Sequence, residues 1–121
     1  MIHGLRTAKY PVADLAQAKL WYSQVFDCAP YFDQPFYVGF AIGGFELGLV
    51  PDGVPGVHGS VVYWGVDHID DEVRRIVALG AGIHDPVQDI GDGIRVAELK
   101  DPFGNLLALI ENPHFDVKKV R

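Results

Sequence analysis

The segment Lys100-Asp101-Pro102-Phe103-Gly104-Asn105, running on into Leu106-Leu107-Ala108-Leu109-Ile110-Glu111, sets the topology of the whole chain. Proline presets φ for a turn's second position and glycine tolerates positive φ, so residues 101–104 read as a turn. The apolar run after it, about Leu106 to Glu111, reads as a closing strand. Working backward, Gly91-Asp92-Gly93 marks another turn, between runs at about Gly82 to Gln88 and Ile94 to Leu99. Ahead of these, Ile69, Val73 and Ile76 recur at i, i+4 and i+7, the apolar stripe of a helix from Ile69 to Leu79. Asp67 stands where a capping side chain starts that helix. Asp70, Asp71 and Glu72 lie near the positive end of its dipole, and Gly80 follows its last turn. A strand at about Ser60 to Val66, rich in Val and Tyr, comes first. The order is βαβββ.

The first half of the chain has the same order. A strand at about Leu5 to Val12 leads to Asp14, which caps a helix over Leu15 to Phe26 with Gln17 at capping-box spacing. Three apolar runs follow, at about Ala29 to Phe32, Phe36 to Ile42 and Phe45 to Val50. Gly43-Gly44 is a two-residue hairpin signal between the last two. The organisation expected is a single domain over 1–121, with modules at about 4–50 and 59–111, a linker at about 51–58 and a tail at 112–121. Each helix covers one face of its sheet and leaves the other to be covered by the second half, a second subunit or a ligand. The fold class expected is α+β: two tandem βαβββ modules forming curled mixed sheets around a concave trough, with the helices outside. That trough is the default binding site.

Composition narrows the function. The chain has 121 residues, 49% of them hydrophobic and 21% charged, a globular balance. Lys and Arg number 10 against 16 Asp and Glu, a formal net charge of −6. That sign and the absence of a basic run argue against nucleic acid and against docking on an anionic membrane. A single cysteine, Cys28, forms no intramolecular disulfide and no thiolate cluster within one chain. No signal-peptide core and no apolar stretch of about 20 residues is present, so the expectation is a soluble, cytoplasmic protein.

The paired βαβββ halves, Tyr10-Pro11-Val12-Ala13-Asp14-Leu15, the Phe26-Asp27 helix ending and Lys100-Asp101-Pro102-Phe103-Gly104-Asn105 resemble the vicinal oxygen chelate superfamily. That group includes glyoxalase I, bleomycin-resistance proteins, fosfomycin-resistance thiol transferases, methylmalonyl-CoA epimerase and extradiol dioxygenases. The resemblance implies a fold that hosts several chemistries, a homodimer, and in many members a divalent metal held by four side chains on the first and last strands of the two halves. Here those slots fall at Thr7, near Glu46, at Val61 and at Ala108. Only one is a carboxylate, so no metal cofactor is expected. His3 lies four residues before Thr7, about 13 Å along a strand and too far to share its metal. His58 precedes Val61 by three and points to the opposite face.

Individual residues give the candidate site. If Phe45, Leu47 and Leu49 face the helix, alternation puts Glu46 in the trough with Gly44 and Gly48. There Glu46 accepts a ligand's donor, serves as a general base with a burial-raised pKa, or pairs internally with Lys9 or Arg95. Lys9 and Arg95 are candidate grips for a ligand carboxylate or phosphate, or else solvated strand residues. Tyr63 shares the trough face with Val61 and is the aromatic best placed to stack on a ligand, while Trp64 faces the helix. Thr7, Lys9, Glu46, Val61, Tyr63, Arg95 and Ala108 are therefore the expected ligand-binding positions. The function expected is metal-free small-molecule binding, similar to the bleomycin-resistance branch, with an apolar or aromatic ligand sequestered in the trough. The alternative is a glyoxalase-like lyase, isomerase or dioxygenase with a displaced metal or acid–base chemistry at Glu46.

Overall fold

A computed structural model describes residues 5–56, 61–116 and 118. His3 and His58 lie outside them. The chain forms β1 (Thr7–Pro11), α1 (Leu15–Phe26), β2 (Phe32–Gln34), β3 (Tyr37–Ile42), β4 (Phe45–Val50), β5 (Tyr63–Gly65), α2 (Ile69–Ala78), β6 (Gly82–Gly91), β7 (Ile94–Lys100) and β8 (Leu106–Glu111). One sheet has the order β1-β4-β3-β2 and the other β5-β8-β7-β6. In each, the opening strand runs parallel to the closing one and the remaining pairs are antiparallel. This is the α+β arrangement of two βαβββ modules expected from the sequence.

Local chemistry explains most boundaries. Asp14 accepts from the Gln17 backbone N–H at 3.1 Å and fixes the start of α1. The β3–β4 hairpin turns through Gly43 and Gly44 at φ of 57° and 88°, which glycine adopts without strain. β2 starts later than expected, at Phe32 rather than Ala29: Tyr31 N–H donates to Gly39 at 2.9 Å, and Pro30 before it has no N–H to extend the ladder.

The start of α2 departs from expectation. Its N-cap residue is His68, without a side-chain cap bond, and not Asp67. The carboxylate that serves the first turn comes from the far end of the module: Glu111, on β8, accepts from the Ile69 N–H at 3.0 Å. Because Arg95 is paired across from Glu111, both lie on the helix-bearing side of the second sheet.

The core is shared. Tyr10, Leu47, Leu49, Val38 and Phe40 from the first sheet, Leu99, Leu107 and Leu109 from the second, and Tyr22 and Ile76 from the helices form one buried cluster. Polar bonds join the halves across it. Tyr22 donates to Asp101 at 2.6 Å, and the other oxygen of Asp101 accepts from the Phe103 and Asn105 N–H groups at 2.9 and 2.8 Å. Asn105 donates to the Pro11 carbonyl at 2.7 Å and Trp21 to the Leu79 carbonyl at 2.8 Å. Burial pushes the Tyr10 phenol up to about 12 and lifts that of Tyr22 well above its ordinary value, so both keep their protons, Tyr10 accepting from Trp64 and Tyr22 donating to Asp101. The Asp-Pro-Phe-Gly-Asn turn is thus a rivet between modules. Among the described residues no helix is long and apolar enough to cross a membrane.

Candidate functional site

Strand alternation divides each sheet into a helix-bearing and a helix-free face. On the first sheet Ala8, Tyr10, Leu47 and Leu49 turn to the core, which leaves Thr7, Lys9, Glu46 and Gly48 on the helix-free face. Register lays that face out in rows: Thr7–Glu46–Ala41, then Lys9–Gly48–Gly39–Phe32, then the pairs Pro11–Val50 and Tyr37–Gln34.

Glu46 is the centre of the site. Its side chain accepts from three hydroxyls: Tyr31, Tyr37 at 2.6 Å and Thr7 at 3.1 Å. Tyr37 starts two rows away and reaches Glu46 by laying its ring across the glycine row. A Cβ at Gly48 would overlap the Tyr37 phenol, and one at Gly39 would press on Glu46 and on both tyrosine rings at 3.1–3.2 Å. The pair Gly39 and Gly48 is therefore the floor that lets two phenols converge on one carboxylate. Phe32 stands edge-on to Tyr37 and to Phe36, with centroids 6.0 and 6.1 Å apart. Tyr31, Phe32 and Phe36 are 62%, 39% and 65% exposed, an uncovered aromatic surface that meets the carboxylate at Tyr31 and reaches out from Tyr37 through Phe32 to Phe36.

The electrostatics follow from these bonds. Donation from Tyr31, then Tyr37, holds the Glu46 carboxyl below its ordinary range. Desolvation opposes this, and Thr7 adds a smaller lowering. This corrects the expectation of a burial-raised general base, because three hydroxyl donors outweigh partial burial. The phenols respond in the opposite sense. Tyr31 is raised chiefly by its bond to Glu46, and Tyr37 chiefly by desolvation and then by the same carboxylate. The internal pairing of Glu46 with Lys9 or Arg95 does not occur, since tyrosines take that role.

The helix-free face of the second sheet carries Tyr63 and Ala108, directly opposite each other, with Glu98 beyond Ala108. Tyr63 is 43% exposed and reaches Glu98 at 3.4 Å, while His84 lies 3.9 Å from the same carboxylate. Trp64 faces inward, donating to Tyr10 at 3.1 Å. Arg95 does not join Tyr63. It shares parity with the buried Ala97 and Leu99, so it points to the helix side, where it grips Asp70 of α2 through two bonds of 2.8 and 3.2 Å. A cleft of about 480 Å³ opens on that side too, between Phe26, Trp64, Ile76 and Leu107. On its rim Glu72 pairs with Arg75 and Asp71 with Arg74, beside Asp67 and His68.

The four positions implicated in metal binding can now be placed by internal symmetry. Val12 donates to Val50 as Val66 does to Ile110, and Lys9 faces Gly48 as Tyr63 faces Ala108. The counterpart of Ala108 is therefore Gly48, and Glu46 corresponds to Leu106. The set is Thr7, Gly48, Val61 and Ala108, whose one polar group is a hydroxyl already donated to Glu46. Such a donor set does not fit a divalent cation. Among the described residues no group of three or more His, Cys, Asp or Glu converges elsewhere.

Tyr31, Tyr37 and Glu98 were not among the expected positions. The signal for the tyrosines is the pair of glycines on neighbouring strands, a gap that large side chains nearby must fill. The signal for Glu98 is its alternation with Ala97 and Leu99.

Comparison with known proteins agrees with this architecture. Residues 4–109 match the family model described as Glyoxalase/Bleomycin resistance protein/Dioxygenase superfamily. No curated protein matches the sequence significantly. Among crystal structures, the genomically encoded fosfomycin resistance protein FosX from Listeria monocytogenes superposes with a TM-score of 0.77 at 18% identity, covering 100% of both chains. A glyoxalase-related enzyme from Fulvimarina pelagi gives 0.75 at 20% identity, over 96% of this chain and 93% of that one. TioX from Micromonospora sp. ML1 gives 0.72 at 22% identity, over 89% and 98%. At these identities the similarity establishes the fold.

Proposed function

The chain belongs to the Glyoxalase/Bleomycin resistance protein/Dioxygenase superfamily, and we propose that it is a metal-free small-molecule binding protein that holds an apolar or aromatic ligand on the helix-free face of its first sheet. The observation that carries this reading is the uncovered ring surface of Tyr31, Phe32 and Phe36 leading to a carboxylate fixed by Tyr31, Tyr37 and Thr7. Rigid rings supply contact area at small entropic cost, and the carboxylate orients the ligand. Lys9, on the same face, is a second orienting group. Tyr63, 43% exposed, stands on the helix-free face of the other sheet over the buried Ala108, apart from this surface.

Acid–base catalysis through Glu46 is less well supported. A base works best with a pKa near the operating pH, and the three hydroxyls push this carboxyl away from that range. Metal-assisted chemistry is disfavoured by the donor set at Thr7, Gly48, Val61 and Ala108. In this reading the protein acts in the cytoplasm as a homodimer.

A thermal-shift screen over aromatic and charged small molecules tests the proposal. A ligand of the native state raises Tm in proportion to its saturation. No shift from any compound, or stoichiometric metal in the purified untagged protein that is lost in Glu46→Gln, would overturn it. Sedimentation velocity tests the dimer.

A further inference from the structure

The small-molecule reading leaves open which chemical group Glu46 recognises. Its oxygens receive only neutral hydroxyls, which satisfy hydrogen bonding without neutralising charge. The ion pairs among the described residues are Lys19 with Asp33, Arg74 with Asp71, Arg75 with Glu72 and Arg95 with Asp70, with His84 near Glu98. Glu46 is in none of them. Lys9 is on the same face, in the neighbouring row, and it too is in none.

We propose that Glu46, held against Tyr31 and Tyr37 with the rings of Phe32 and Phe36 continuing beyond Tyr37, recognises an organic cation, an ammonium or amidinium group carried on an aromatic or apolar body. This rests on the small-molecule reading of the same face. Aromatic rings present a negative face to a cation and a dispersive surface to an apolar body. A carboxylate at the edge of that ring cluster adds a charge partner, and its hydroxyls hold it in place without competing for charge. A ligand carboxylate or phosphate would meet repulsion at Glu46. The net charge of −6 biases encounter in the same direction.

The test uses three probes of matched shape: 2-phenylethylamine (cation), 2-phenylethanol (neutral) and 3-phenylpropionate (anion). Each is titrated into isotopically labelled protein, and backbone amide shifts are followed by NMR at low and high salt. The expected result is that the amine binds about tenfold or more tighter than the alcohol, with shifts centred on Glu46 and its neighbours. Salt should reduce that preference, and Glu46→Gln should bring the amine and the alcohol to the same affinity. Tyr37→Phe, which keeps the charge, should retain the preference. Equal affinity for amine and alcohol, or a preference for the propionate, overturns the cation inference while binding on this face survives. No shift from any probe defeats the binding reading and the inference together.

Discussion

The two helix-free faces share one backbone plan and differ in what stands on equivalent rows. On the first sheet the row Lys9–Gly48–Gly39–Phe32 has two bare positions at its centre. On the second, the matching row is Tyr63–Ala108–Glu98–Asp85, with side chains throughout. In the first case the gap admits Tyr37 from the next row, and a carboxylate two rows away gains firm hydroxyl partners. In the second, Glu98 occupies the gap itself and its contacts are longer, Tyr63 at 3.4 Å and His84 at 3.9 Å. Removing side chains, rather than adding functional ones, is what builds the candidate site in the first module.

The sharpest way to break this contrast is to fill the gap. Gly48→Val should expel the Tyr37 ring, leave Thr7 as the donor to one oxygen of Glu46 and Tyr31 as the donor to the other, and destabilise the protein by about 2 kcal/mol, the scale of an overpacked site. Urea denaturation and loss of thermal-shift ligands would check it. A neutral outcome would mean that the glycine floor does not matter. A step down in size, Tyr37→Phe should cost about 1 kcal/mol, one hydrogen bond, with the fold unchanged by circular dichroism.

Acid pH probes the same difference. The Glu46 carboxyl is lower in the folded chain than its ordinary value, so the folded state binds fewer protons in that range. Its contribution is present above the unfolded pKa, near the ordinary 4.5, and is lost as pH falls through the lowered folded value. Stability measured from pH 6 to pH 3 should therefore fall less steeply in Glu46→Gln than in the parent, and an unchanged slope would contradict the hydroxyl clamp. The smallest effect is expected on the other face. Glu98→Gln should change stability by less than about 0.5 kcal/mol, as for surface substitutions generally. A loss equal to that of Tyr37→Phe would erase the distinction between the faces.

Much of this architecture was readable in the chain because its signals are local. Asp14 caps within three residues, Gly43-Gly44 turns within two, and β8 lies between a turn and a polar end. What sequence reading missed depends on partners far along the chain. The cap of α2 comes from Glu111, 42 residues away, and local spacing pointed to Asp67 instead. Arg95 was misplaced because only its own turn was considered. Its parity with Ala97 and Leu99 puts it on the helix side. Glu46 was found by alternation, but its charge state depends on Tyr31 and Tyr37, which reach it only because Gly39 and Gly48 pair across two strands.

The long-range cap on α2 also bears on how the chain is made. A ribosome releases residues in order, so the amide of Ile69 emerges well before the carboxylate that completes its helix start. Until Glu111 is free of the exit tunnel, the second helix lacks its anchor and the strand that carries it cannot dock. A nascent chain stalled a few residues short of that point should hold its second module loosely, and arrest-peptide force profiles should show the final gain in tension only once β8 is exposed.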